Sequence, residues 1–239
     1  MPPTVETLPQ KRGIKDLFLP VVIIIAGGII AFSLYSVRIR DVVENGTGTP
    51  EAVLPVTPED HIIGDPSAPI VLVEYSDIDS AYGKKLQLTM EQLMTDYAAG
   101  NKVAWVYRHF PVTTLRPNSA MHALAAECAA SISQPITFFR FIETMNSLAP
   151  GDTVFSTKNY GAVVSQLGLS ESAFDACISA QTFENKIHTE YTNALAAGAT
   201  ESPYIVLIVE GKTPRAIHGA PPYKTLKEII DTEIASLQP

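Results

Sequence analysis

The sequence predicts an α/β domain with the element order βαβ, helical insert, α, ββα, carried behind one N-terminal transmembrane helix. Three observations lead there. A 21-residue uncharged run lies near the N-terminus, three short β-rich apolar runs lie far apart along the chain, and helix-periodic apolar patterns fill the intervals.

The first element is Leu17 to Val37, LFLPVVIIIAGGIIAFSLYSV, bounded by Lys15 and Arg38. About 20 apolar residues suffice to cross the hydrocarbon core. The run exceeds a signal-peptide h-region and no small-x-small cleavage site follows, so residues 17–37 read as an uncleaved anchor behind a cytoplasmic tail, 1–16. Three basic residues precede the span (Lys11, Arg12, Lys15) and two follow it (Arg38, Arg40). That bias is small but favours a cytoplasmic N-terminus and an extracytoplasmic remainder at the cell membrane. Residues 38–56, rich in Gly, Thr and Pro, read as a linker.

The domain itself spans 57–239. Ile70 to Tyr75 (IVLVEY) is β-rich. Leu86, Met90, Leu93, Met94 and Tyr97 then share one helical face that ends at Gly100. Val103 to Tyr107 (VAWVY) supplies the next strand, and strand–helix–strand over so short a distance implies a parallel pair with a right-handed crossover. A helical insert of about 115–182 follows, with segments at Ser119–Ser131, Phe138–Leu148, Tyr160–Leu167 and Ser172–Ala180. Thr182 to Ala197 is a long helix and Tyr204 to Val209 (YIVLIV) a third apolar strand. Glu210-Gly211-Lys212 turns the chain into a returning strand at Arg215–His218. Leu226, Ile229, Ile230, Ile234 and Leu237 close the chain at helical spacing.

Composition excludes one broad class. Residues 41–239 hold 12 of the 17 basic and 23 of the 25 acidic residues, a net charge of −11. Such a surface repels phosphate backbones, so nucleic acid is not an expected partner. The five histidines (His61, His109, His122, His188, His218) share no i, i+4 spacing and join no zinc pattern, so neither metal nor cofactor is expected.

Four ordered segments carry a resemblance. They are Glu59–Asp77 (EDHIIGDPSAPIVLVEYSD), Ala104–Pro111 (AWVYRHFP), the stretch around Ser202-Pro203, and Gly219–Tyr223 (GAPPY). With the element order, they make residues 57–239 similar to the DsbA-like thioredoxin family of thiol:disulfide oxidoreductases. The resemblance implies a thioredoxin-like fold and, at Ser202-Pro203, a loop holding a cis-proline that pairs with extended substrate. It also implies Cys-x-x-Cys two residues after Glu-Tyr-Ser-Asp. Here those positions read Ser80-Ala81-Tyr82-Gly83.

That departure removes the chemistry. A thiol at a helix N-terminus is acidified by the unpaired backbone amides and attacks as a thiolate. A second sulfur must then resolve the mixed disulfide. Serine and glycine offer neither, so no catalytic residue is expected at Ser80–Gly83. Ser80 reads as an N-cap whose hydroxyl accepts a first-turn amide. It has no Gly-x-Ser-x-Gly context for a hydrolase nucleophile. The two cysteines, Cys128 and Cys177, lie in the helical insert where family members carry a second, non-catalytic pair. An extracytoplasmic setting favours a structural disulfide, with buried thiols or a redox-active pair as alternatives.

The leading functional reading is a redox-inactive, membrane-tethered module that binds an extracytoplasmic protein or peptide through Tyr82, Ser202 and Pro203. One alternative is a thiol:disulfide oxidoreductase acting through Cys128 and Cys177. A second is a structural subunit of a membrane assembly.

Overall fold

The computed structural model describes residues 48–97, 99–150 and 153–237. The anchor at 17–37, the tail and most of the linker lie outside the described residues. Among the described residues no helix is long and apolar enough to cross a membrane.

Five strands form one sheet in the order β1-β3-β2-β4-β5. They are β1 (His61–Gly64), β2 (Ile70–Ser76), β3 (Val103–His109), β4 (Tyr204–Val209) and β5 (Arg215–His218). The central pair β2 and β3 is parallel, with Ile70 opposite Val103 and Ser76 opposite His109. All other pairings are antiparallel. Helix α1 (Ala81–Tyr97) makes the crossover between β2 and β3.

Strand alternation sorts β2 between two cores. Ile70 and Leu72 point with Trp105 and Tyr107 into a core completed by Leu86, Met90 and Leu93 of α1. The C-terminal helix α7 (Tyr223–Ser236) adds Leu226 and Ile230 to it. Val71, Val73 and Tyr75 join Val106, Tyr204 and Val206 on the other face, under Ala194 and Ala197. Those alanines belong to α6 (Glu184–Ala196) and its C-terminal cap.

The insert comprises α2 (Ser119–Ser131), α3 (Thr137–Leu148), α4 (Tyr160–Gln166) and α5 (Glu171–Ala180). Helix α2 is buried on almost every side, from Ala123 through Ala129. Its alanines let neighbours approach closely, and apolar character all round is what a central helix requires.

The element order agrees with the sequence-based reading, with one addition. Strand β1 pairs antiparallel with β3 along the sheet edge, His61 opposite Tyr107. Four residues are too few for a periodicity signal. Its end is set by Gly64 (φ 104°), where an added Cβ would lie 2.6 Å from the Val103 carbonyl.

The described part of the Gly/Thr/Pro-rich segment, from Gly48 onward, lies on the domain. Thr49 N donates to Ala196 O (3.0 Å) and Leu54 N to Asn193 Oδ1 (3.2 Å). Asn193 Nδ2 donates to Ala52 O (2.8 Å). Arg108 grips Leu54 O and Pro55 O, each at 3.0 Å, and Asp60 through Nε and Nη2 at 2.7 and 2.9 Å. Buried side chains thus hold this strap across the end of α6.

Candidate functional site: a sealed turn beside a cis-proline loop

Where β2 ends, Asp77 organises the turn into α1. Its Oδ1 accepts Asp79 N (2.9 Å) and its carbonyl accepts Ser80 N (2.9 Å). Its Oδ2 accepts Val112 N and Ser119 Oγ, both at 2.9 Å, so the loop after β3 and the start of α2 converge on one buried carboxylate. Asp77 N donates to Ser202 Oγ (2.8 Å). The Ser202–Pro203 peptide is cis. The structure therefore brings the Ser80–Gly83 turn and the Ser202–Pro203 loop together through Asp77, which the sequence reading did not single out.

Within the turn, burial is uneven. Ser80 is fully buried, Ala81 half-buried and Gly83 buried, whereas Tyr82 is 66% exposed. The Ser80 hydroxyl has no hydrogen-bond partner, so the expected N-cap bond is not made. Gly83 packs so tightly that a Cβ there would lie 2.6 Å from Asp77 O and 2.9 Å from Ser76 Oγ. With no base hydrogen-bonded to Ser80, the turn holds neither a redox sulfur nor an activated hydroxyl.

Below it, Asp79 is buried with neither oxygen hydrogen-bonded. Burial, reinforced by the Asp77 charge, pushes its carboxyl up to about 6. His122 Nε2 lies 3.3 Å from Asp79 Oδ1, and burial pulls that imidazole down to about 4. An open apolar groove of about 300 Å³, lined by Pro111, Met121, Leu124, Ile187 and Tyr191, runs beside the loop after β3.

A second polar cluster lies between β1, β3, α2 and α6. Glu127 Oε1 meets His61 Nε2 at 2.9 Å and His109 Nε2 at 3.1 Å, and also contacts Lys186. His109 N donates to Glu190 Oε2 (2.7 Å). Burial raises the Glu127 carboxyl, but the bonds and charges of the two histidines outweigh it and hold the group far below its usual range. Donor atoms of His109, Glu127 and Glu190 lie within 4.8 Å of one another, a spacing that a metal ion could use. The Lys186 ammonium, 3.1 Å from Glu190 and touching Glu127, already supplies the cation there. His109 is thereby a satisfied structural histidine.

The two cysteines are bonded to each other. Cys128 of α2 and Cys177 of α5 have Cα atoms 5.7 Å apart and close a loop of sequence separation 49. Cys128 is fully buried and Cys177 half-buried. Both lie in the insert, separate from the Ser80–Gly83 turn in the chain.

A five-stranded sheet with its crossover helix, a helical insert and a cis-proline loop facing the start of α1 defines a DsbA-like thioredoxin domain without the Cys-x-x-Cys pair. The chain belongs to the thioredoxin family, whose model matches residues 56–232. Among solved structures it is similar to α-DsbA1 of Wolbachia pipientis, with 19% identity, a TM-score of 0.65, and 80% of this chain and 100% of that one covered. It is also similar to oxidised BdbD of Bacillus subtilis, with 17% identity, a TM-score of 0.64, and 76% and 96% covered. At such identities the likeness shows the fold alone. Sequence relatives include Na(+)/H(+) antiporter NhaA 3 of Salinispora tropica, 35% identical over 94 residues, 39% of this chain and 14% of that protein. Another is Na(+)/H(+) antiporter NhaA of Herminiimonas arsenicoxydans, 28% identical over 167 residues, 70% of this chain and 25% of that protein. The matches thus cover a small part of much longer antiporters.

Proposed function

We propose that this chain is a membrane-tethered, extracytoplasmic binding module that takes an extended protein or peptide segment at the Ser80–Gly83 turn and the Ser202–Pro203 loop without redox chemistry. The observation that carries the reading is the sealed turn. Ser80 is buried, Gly83 has no room for a side chain, and the neighbouring loop remains tied to Asp77. What the turn still offers outward is Tyr82, an aromatic of the kind that anchors interfaces. Beside the loop after β3 lie the apolar groove and Leu115, which is 73% exposed.

The tether rests on the uncharged run Leu17–Val37. Similarity to segments of Na(+)/H(+) antiporters supports a site of action at a membrane. The disulfide suits an oxidising, extracytoplasmic compartment.

The test is capture of partners from host membranes by the full chain after chemical crosslinking. Tyr82→Ala combined with Pro203→Ala is expected to weaken capture about tenfold or more, the usual loss for an aromatic anchor. Unchanged capture sinks the site assignment. The second reading, an oxidoreductase, is favoured by one observation, that the Cys128–Cys177 bond is formed with Cys177 half-buried. Oxidation of a reduced dithiol peptide by the full chain, abolished in Cys128→Ser/Cys177→Ser, would establish that reading instead.

A further inference from the structure

We infer that the strap turns the binding end of the domain toward the membrane, so that its partner is an extracytoplasmic loop or terminus of an integral membrane protein rather than a freely diffusing one. The inference rests on the anchored reading above and adds an orientation to it.

The described part of the strap starts at Gly48. A Cβ there would lie 2.2 Å from Leu195 O and 2.6 Å from Gly198 N. A Cβ on Gly198 (φ 95°) would lie 2.8 Å from Gly48 O. Two glycine backbones are therefore pressed together, a contact no other residue pair allows without displacement. Thr49 N bonds Ala196 O, and the buried Asn193 and Arg108 hold the next turn of chain. The strap is built into the fold.

Its position matters because Gly198 lies just beyond the C-terminal end of α6, four residues before Ser202. Tyr204 Oη donates to Ala197 O (2.6 Å), which fixes that end of the helix over the first residue of β4. Four residues reach about 14 Å at most, so the chain enters the domain within that distance, plus one contact, of the Ser202–Pro203 loop. The opposite end, the β4–β5 turn around Thr213, is a strand length away, about 20 Å for six residues.

Between the end of the apolar run at Val37 and Gly48 there are ten residues. Fully extended they reach about 36 Å, and any less extended arrangement brings Gly48 nearer the bilayer. A domain of this size is about 40 Å across. Attached by a connection shorter than its own width, at the end that carries Tyr82, Ser202 and Pro203, it turns that end to the lipid surface more often than the far one. A segment held close to the bilayer is the one that meets that end most readily.

Energy transfer to the membrane surface tests this. The full chain is labelled with one donor dye at Tyr82→Cys or at Thr213→Cys, the native cysteines being bonded to each other. It is reconstituted in phosphatidylcholine/phosphatidylglycerol vesicles that carry headgroup acceptors. Transfer from position 82 is expected to exceed that from 213 roughly twofold, because the labels differ by about 20 Å in height. A 20-residue Gly/Ser insertion after Glu44, which leaves every described residue in place, is expected to bring the two values together, as is Gly48→Val, with thermal unfolding reporting that the variant remains folded. Equal or reversed transfer in the parent chain overturns the orientation and leaves the anchored reading standing. Failure of either protein to float with vesicles overturns the anchored reading and the orientation with it. Quenching of the position-82 dye by nitroxides on the acyl chains places the site on lipid itself and overturns the partner class.

Discussion

Gly83 decides more than its size suggests. Any side chain there would press on Asp77 O, the carbonyl that receives Ser80 N, and on Ser76 Oγ at the end of β2. Restoring the cysteine pair with Ser80→Cys/Gly83→Cys is therefore expected not to produce a dithiol oxidase. Overpacking of this kind costs about 1–3 kcal/mol. Urea unfolding is expected to show that loss for Gly83→Cys alone, with Ser80→Cys close to the parent. An active, stable double variant would mean the turn relaxes easily. At this scale the loss of the redox residues was legible in Ser80-Ala81-Tyr82-Gly83 itself. The role of Asp77 was not, because its partners Val112, Ser119 and Ser202 are distant in sequence. Nor was the bare Ser80 hydroxyl, since a serine before a helix ordinarily caps it.

Among elements, the disulfide joins the buried α2 to the outer α5. In the chain-entropy model a loop of this length stabilises by about 4 kcal/mol. Reduction, or Cys128→Ser/Cys177→Ser, is expected to lower unfolding free energy toward that amount, read from urea midpoints at constant slope. A loss near zero would show that packing of α2 alone holds the insert. The long elements were legible because their patterns repeat: the Leu86–Tyr97 face of α1, the runs of β2 and β4, the closing face of α7. Strand β1 escaped because its identity comes from pairing with β3. The strap escaped because its Gly, Thr and Pro content reads as open chain, while the bonds that hold it come from Asn193 and Arg108.

For the whole molecule, global stability carries a pH signature through Glu74. This carboxyl is fully buried, close to Ser76 and Trp105, yet neither oxygen makes a hydrogen bond of full geometry. Burial pushes it up to about 8 from an ordinary 4.5, against smaller opposing pulls from Ser76 and Trp105. The fold thus favours the protonated form. Its contribution is complete below about 4.5, is lost as pH climbs through 8, and is on the order of 5 kcal/mol in full. Asp79, raised to about 6, adds a smaller loss of the same sign. Unfolding free energies at about pH 5 and about pH 8 are expected to differ less in Glu74→Gln than in the parent, and an unchanged difference would locate the titration elsewhere. The sequence announced this acid only as one residue of an apolar strand, and its environment needed the sheet and α1 in place.

The bond between Cys128 and Cys177 also makes the polypeptide a closed ring over most of the helical insert. A protease that cuts one peptide bond anywhere between the two sulfurs opens the ring without dividing the molecule. The turn that carries Tyr82 and the loop that carries Pro203 then still belong to one covalent body. Damage at one point of the insert therefore leaves the two halves of the chain joined through sulfur.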